Sequence, residues 1–309
     1  MKTLHLVCNS HLDPVWQWDW NEGASAALAT FYSAVKLAEK YDYVFCHNEV
    51  LLYEYIEKYD KELFGEIQKL AERGKWRIIG GWYVQPDCLV PSGESFIRQI
   101  TTGREYFAEK FNARPTAALN FDSFGHTKGL PQILKKCGYD SYVFCRPMPW
   151  LHPLEKEDLP HGPFLWKGYD GSTVKALRFE DETIYCSQYG YAKENIIRKE
   201  KHYDDQDDIL ILWGVGNHGG GPTIRNLRSI EAYQASGRDG GQVIFSDPDA
   251  YFDALAAEGA SLPVWKKELQ HHSSGCYSAT SLIKALNRKT ESALTRSEKF
   301  AALSSALTG

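Results

Sequence analysis

The chain has 309 residues and a net charge of −5, with nine tryptophans and eighteen tyrosines. Nucleic acids and anionic membranes attract strongly basic surfaces, so this charge argues against either as the main partner. A chain of this length can form two domains or one large barrel around a sizeable core. The many aromatic residues suit such a core, and they also suit a cleft that binds sugars.

The N-terminal stretch "MKTLHLVCNSH" turns polar after a few residues, unlike a secretory signal. No apolar run approaches the length of a membrane span. The seven cysteines are odd in number and contain no CxxC pair, which favours a reducing compartment over a disulfide framework. We therefore expect a cytoplasmic protein that does not contact a membrane, and a homo-oligomer is compatible with the sequence.

Short apolar runs alternate with helical patterns along most of the chain. The predicted strands are residues 4–8, 44–46, 77–79, 117–121, 142–145, 173–178, 209–213 and 243–245. Such continuous apolar runs are typical of parallel strands buried on both faces. Leu28, Phe31 and Val35 recur at helical spacing, and helical stretches follow at 51–75 and 94–111. This alternation predicts βα units in a parallel sheet or barrel, an α/β fold.

The pattern changes after about residue 262. Residues 278–309 are rich in Ala, Leu, Ser and charged side chains, favour a helix, and are followed by no strand. We expect a catalytic β/α domain over residues 1–262 and the start of a helical domain over 263–309. The second domain looks truncated.

Histidine, carboxylate and amide residues follow several predicted strands or precede the helical segment. They are His11 and Asp13, Asp122 and His126 in "FDSFGHT", Asn217 and His218 in "GVGNHGGGPT", and His271 and His272 in "ELQHHSSGCYS". In α/β barrels the active site forms where the C-terminal ends of the strands converge. Two histidines with two carboxylates suit zinc or a similar divalent ion, with a coordination position open to substrate.

Each loop also has a purely structural interpretation. A single His-x-Asp pair often caps a loop or forms a surface ion pair, and Asp122 could cap the following helix. The glycine-rich loop lacks the Lys and Ser/Thr of a phosphate-binding loop. The metal-site hypothesis depends on these loops occurring together.

Six stretches of the sequence resemble glycoside hydrolase family 38, the retaining α-mannosidases. They are "HLDPVW" at 11–16, "GGWYVQPDCLVPSGESFIRQ" at 80–99, "FDSFGHT" at 121–127, "GNHGGGPT" at 216–223, "FSDPDAYFDAL" at 245–255 and "ELQHHSSGCYSATSLIKALNR" at 268–288. They occur in family order and span nearly the whole chain, and they look most like the bacterial cytoplasmic branch with mannosylglycerate-type hydrolases. The resemblance implies a distorted (β/α)7-type barrel with parallel strands, followed by the start of a helical bundle.

The resemblance also implies a metal site and a nucleophile. The metal ligands would be His11, Asp13, Asp122 and His272, the last in preference to His271. The ion would be Zn²⁺ or another divalent cation such as Co²⁺, Mn²⁺ or Ca²⁺, one per chain. Asp122 would also be the nucleophile.

A carbohydrate substrate would contact an aromatic floor at Trp16 and a wall at Phe124, and core packing is the alternative for both. Many relatives carry an aspartate where this sequence has Asn217, and an amide cannot donate the catalytic proton. Asn217 is therefore expected to bind a sugar hydroxyl. His218 becomes the candidate acid/base, with Asp181 and Glu182 as alternatives.

The leading hypothesis is a retaining, metal-dependent α-mannosidase that acts on oligosaccharides or small mannosides such as mannosylglycerate. One alternative is a metal-dependent hydrolase of the polysaccharide deacetylase type, although those enzymes use an Asp-His-His ligand set. Another is a catalytically impaired barrel that binds glycans, suggested by Asn217 and the apparent truncation.

Overall fold

The computed structural model describes residues 2–147, 159–180, 185–187, 189–216, 220–236 and 241–308. The strands are β1 Lys2–Cys8, β2 Phe45–His47, β3 Trp76–Ile78, β4 Ala117–Asn120, β5 Ser141–Phe144, β6 Phe164–Lys167, β7 Thr173–Arg178, β8 Asp208–Trp213, β9 Gly241–Phe245 and β10 Val264–Trp265. The helices are α1 Trp20–Ala38, α2 Val50–Tyr59, α3 Lys61–Glu72, α4 Gly93–Phe111, α5 Leu130–Lys136, α6 Ala192–His202, α7 Ile224–Ala235, α8 Pro248–Ala257, α9 Ser274–Ser278 and α10 Ser281–Thr308.

The strands form two five-stranded sheets. The first has the order β3-β2-β1-β8, and β9 also pairs with β1. The second has the order β10-β6-β7-β5-β4. Every pair is parallel except β6 with β7, which is antiparallel. The α/β class with parallel-strand sheets is therefore confirmed.

A shared apolar core joins the two sheets. One buried cluster combines side chains of the first sheet with side chains of the second, and it includes Val7, Cys46, Leu119, Val143, Leu177 and Leu212. The segments that follow β1, β2 and β4 line one cavity, and the segment after β5 contacts it through Arg146, so the C-terminal ends of the four strands open toward a common region. The chain segments that follow these four strands carry the candidate site.

All eight predicted strands are confirmed to within about two residues, but β6 and β10 were missed. In β6, Phe164 and Trp166 are fully buried while the alternate positions are only half-buried. β6 runs antiparallel to β7, so the predicted fold with parallel strands is wrong for this one pair, and a period-two pattern is typical of antiparallel strands. β10 has two residues, too few for any pattern, and lies beyond residue 262. The division into domains at 262/263 and the closed (β/α)7-type barrel stay predictions.

The helical stretch predicted over 51–75 is two helices. Asp60 ends α2, and its side chain accepts a hydrogen bond from the backbone N of Leu63 at 2.9 Å, which caps α3. Aspartate stabilises a helix N-terminus by accepting a hydrogen bond from a backbone N–H, and it is unfavourable in a helix interior. One helix therefore ends and the next begins at Asp60.

The C-terminal helix predicted from residue 278 is α10, and none of its residues is buried. It is attached to α4 by polar contacts. Glu291 accepts from the Ser92 backbone N at 2.8 Å and from the Ser95 hydroxyl at 2.6 Å, and Arg98 pairs with Glu298. A bundle around α10 stays a prediction. None of the helices in the described ranges is both long and apolar enough to cross a membrane, and the cytoplasmic location stays a prediction as well.

Asp249 in α8 gives the fold a pH dependence. Its carboxylate accepts from the backbone N of Ala117 at 2.6 Å and of Thr116 at 3.1 Å, while burial raises its pKa to about 6. The folded state then holds this proton more tightly than the unfolded chain. This group therefore lowers the free energy of unfolding as pH rises from about 4 to about 6.

We expect Asp249→Asn to remove the contribution of this carboxyl group to the pH dependence of stability. Between pH 4 and pH 7 the free energy of unfolding of the variant, relative to that of wild type, should rise by about 1–2 kcal/mol. This value allows for screening by water, because the side chain is partly exposed. Urea unfolding of both proteins at the two pH values measures the difference. Parallel pH profiles for variant and wild type would contradict it.

Candidate active site

His11 lies three residues beyond β1, where the chain leaves the buried sheet. Its side chain is buried, with Nε2 3.2 Å from Asp13 Oδ1 and 3.8 Å from Asp122 Oδ2. Nδ1 makes no hydrogen bond within the described part of the chain, and Nε2 faces two carboxylates. A buried imidazole nitrogen that faces two carboxylates is suited to a bound cation.

The charges around His11 favour its protonated form when no cation is bound. Burial lowers the pKa of His11, but contact with Asp13 and the charges of Asp122 and Glu49 outweigh it, so the pKa is raised. A metal ion bound beside His11 would likewise offset the negative charge of these carboxylates. The donor types of His11, Asp13 and Asp122 therefore fit a divalent cation.

Asp122 has two oxygens in different surroundings. Oδ1 accepts from Arg146 Nε at 2.8 Å and also contacts Arg146 Nη2, while Oδ2 faces His11. Arg146 follows β5, and Asp122 follows the neighbouring β4, so parallel pairing of these strands brings the two side chains together. One oxygen is thus held by a guanidinium, and the other faces the His11–Asp13 pair.

A buried network supports the segment that carries Asp122. Glu49 accepts from the Gln85 backbone N at 3.0 Å and from its Nε2 at 3.2 Å, and Gln85 Oε1 accepts from the Phe121 backbone N at 2.6 Å. Glu49 has φ of 70°, in the left-handed region, and burial raises its pKa. Gln85 therefore fixes the backbone immediately before Asp122, while Glu49 holds Gln85.

The segment with His272 reaches the site through backbone pairing. The Leu269 backbone N donates to the carbonyl of His126 at 3.1 Å, which ties this segment to the loop after β4. The ring of His272 lies 5.2 Å from the ring of Phe124. His126 is itself buried beside the Tyr142 hydroxyl at 2.8 Å, and burial lowers its pKa to about 3. His126 is therefore a neutral core histidine.

The predicted metal ligands are brought together to different degrees. His11, Asp13 and Asp122 line one cavity of about 510 Å³, together with Glu49 and Gln85. His272 is buried in contact with the Phe124 ring and is not among the described residues that line this cavity. In the described part of the chain, a group of three metal-ligating side chains whose ligand atoms all lie within 4.8 Å of one another occurs away from this cavity. The four-ligand set stays a prediction.

The two predicted aromatic contacts differ in exposure. Phe124 lines the cavity. Trp16 is 55% exposed and packs edge-to-face on Trp18, whose Nε1 donates to the Asp13 carbonyl at 3.2 Å. Core packing therefore does not explain Trp16.

Asn217, His218, Asp181 and Glu182 lie outside the described residues, so their roles stay predictions. The base of the glycine-rich loop is described: Gly216 N donates to the Gly220 carbonyl at 2.8 Å. At Gly214, where φ is 136°, a Cβ would lie 2.0 Å from the Asn9 carbonyl oxygen. Only glycine fits there, beside the segment that leads from β1 to His11.

Comparison with known proteins shows which family the chain belongs to. Residues 1–268 match the Glycosyl hydrolases family 38 N-terminal domain. The chain belongs to glycoside hydrolase family 38. Human alpha-mannosidase 2C1 is 29% identical to this family 38 chain over 296 residues, which cover 94% of the chain and 28% of the human protein. Alpha-mannosidase G of Dictyostelium discoideum is 28% identical over 289 residues, covering 92% of the chain and 26% of that protein.

A solved structure shows the same fold. The crystal structure of an alpha-mannosidase from Enterococcus faecalis V583 aligns with a TM-score of 0.74 at 19% identity, covering 88% of the family 38 chain and 31% of that protein. The chain thus spans less than a third of the length of each of these three relatives.

The sequence patterns did not single out four side chains of the candidate site: Arg146, Glu49, Gln85 and Tyr185. Tyr185 lies 4.6 Å from the His11 ring, between centroids. The stretch at 80–99 contained Gln85, but no pattern singled it out. Arg146 directly follows one predicted strand and Glu49 lies three residues beyond another, so charged residues near the strand ends were the signal that pointed to both.

Proposed function

We propose that this family 38 chain carries the catalytic site of an α-mannosidase that retains the anomeric configuration. The substrate class is mannosides, either oligosaccharides or small molecules such as mannosylglycerate. One observation supports the proposal above others: Asp122 stands in a cavity beside the His11–Asp13 pair, with one oxygen held by Arg146.

In this proposal Asp122 attacks the anomeric carbon while the glycosidic oxygen leaves with a proton from a separate acid. Water then displaces the Asp122 carboxylate from the sugar, so the sugar keeps its configuration after two inversions. Arg146 orients the carboxylate through Oδ1, and Gln85 holds the preceding backbone. Both contacts reduce the motion of the nucleophile before attack.

A divalent cation at this site would be held by His11, Asp13 and Asp122, with His272 as the fourth predicted ligand. Zn²⁺ is our first choice, with Co²⁺, Mn²⁺ and Ca²⁺ as alternatives. When bound, the ion supplies an electrophile that binds sugar hydroxyls. Trp16 and Phe124 would contact the apolar face of the sugar ring, and Asn217 a hydroxyl.

The proton donor is expected at His218. We expect His218→Ala to slow hydrolysis of a mannoside with a poor leaving group about 10²-fold or more, and to affect an activated aryl mannoside far less, because only the poor leaving group needs protonation. Steady-state kinetics on both substrates measure the ratio. Equal slowing would make His218 a positioning residue and direct the search to Asp181 and Glu182.

The function itself is tested with an aryl α-mannoside and proton NMR of the first sugar released. Release of α-mannose as the first anomer supports the proposal, and β-mannose contradicts the retaining mechanism. Acetate release from an acetylated glycan, without mannoside cleavage, would favour the deacetylase-type alternative. Glycan binding without either product would favour a binding protein.

A further inference from the structure

A second group of metal-ligating side chains lies away from the cavity. His161 precedes β6, Glu180 follows β7, and His202 ends α6, so three separate segments meet. One ligand atom from each lies within 4.8 Å of the other two. This group shares no residue with the proposed site of His11, Asp13, Asp122 and His272, called the His11 site below.

The distances fit coordination of one small ion. His161 Nδ1 is 3.0 Å and His202 Nε2 is 3.7 Å from Glu180 Oε2. Zinc bonds to nitrogen of about 2.0–2.1 Å place ligand atoms of a tetrahedral site about 3.3–3.4 Å apart. The observed separations lie on either side of that value, so small side-chain rotations suffice. Two imidazoles with one carboxylate select borderline divalent ions over Mg²⁺ or Ca²⁺.

The surrounding contacts orient the three ligands. Glu180 is 13% exposed at its side chain, and its Oε1 accepts from the Gly162 backbone N at 3.1 Å, which leaves Oε2 toward the histidines. The His161 ring stacks on Tyr203 at 5.1 Å. A histidine that binds a metal through Nδ1 presents Nε2–H outward, and His161 Nε2 lies 3.6 Å from Asp205 Oδ1. Metal-bound histidines commonly donate to such a carboxylate.

We propose that His161, Glu180 and His202 bind a divalent transition metal, Zn²⁺ in the first instance, at a second site distinct from the proposed catalytic ion. The fourth position faces solvent, since both histidine side chains are about 40% exposed. A bound ion would link the segment after β7 to the end of α6. A simple surface ion pair among the same residues is the competing explanation, and it predicts no metal.

The test counts zinc ions on metal-stripped protein that carries no histidine tag. Isothermal titration with Zn²⁺ should give two equivalents for wild type and one for His202→Ala. Glu180→Gln should also bind one equivalent, because an amide is a poor replacement for an anionic ligand. Glu194→Gln on the exposed face of α6 is the matched control and should bind two.

The two metal proposals fail independently. If the catalytic ion is wrong, wild type binds one equivalent, Asp13→Ala binds one and His202→Ala binds none. If the present proposal is wrong, His202→Ala and Glu180→Gln bind as many ions as wild type.

Asp205→Asn gives a second measurement: the affinity of this site should fall about tenfold or more with the stoichiometry kept. Unchanged affinity in Glu180→Gln would also overturn the site.

Discussion

Replacement of Asp122 by alanine is expected to lower kcat/KM for an aryl α-mannoside by about 10⁴-fold or more, the scale seen when a covalent nucleophile is removed. The reason is that Arg146 orients the carboxylate of Asp122 through Oδ1, in the role proposed for attack. Added azide should partly restore turnover, because a small anion can occupy the space left by the carboxylate. The anion attacks from the face opposite the leaving group, so the expected product is β-mannosyl azide.

Asp253→Ala is the matched control, since Asp253 is an exposed carboxylate on α8. It should keep wild-type kinetics. The result that would contradict the role of Asp122 is an alanine variant with activity near wild type, or one whose rescued product is α-mannosyl azide. The second result would show that the anion attacks from the other face, which a nucleophile at Asp122 does not allow.

Replacement of Asp13 by alanine is expected to remove the ion at the His11 site and to lower activity by about 10²–10⁴-fold, the equivalent of several kcal/mol of transition-state stabilisation. The loop should survive the change, because Trp18 binds the backbone carbonyl of Asp13 and not its side chain. Chelation of wild type should cause a similar loss that Zn²⁺ reverses. In Asp13→Ala, Zn²⁺ should restore little.

Elemental analysis and activity are measured on the same samples. Asp19→Ala serves as the control in the same segment, since the Asp19 side chain makes no capping hydrogen bond to α1. Full activity of the chelated wild type, or unchanged metal content and activity in Asp13→Ala, would remove Asp13 from the proposed site. Loss of activity with metal content retained would leave Asp13 as a substrate contact.

Much of the fold could be predicted from local patterns. The apolar runs of β1, β4 and β8 are continuous because these strands are buried on both faces, and burial leaves a strong signal in sequence. Antiparallel β6 and two-residue β10 left no comparable signal. Their placement depends on pairing with distant strands, which composition over four residues or fewer does not encode.

The candidate site, like the fold, is only partly predictable from local sequence. Local patterns alone placed His11, Asp13 and Asp122 beyond strand ends, and the C-terminal ends of parallel strands share an edge. Three further relations appear only in the folded chain: Arg146 holds one oxygen of Asp122, Gln85 fixes the backbone before it, and the ring of His272 packs against Phe124. Those relations depend on strand register and loop path, which arise from packing over the whole domain. Local sequence determines where a strand ends, but long-range packing determines which side chains meet there.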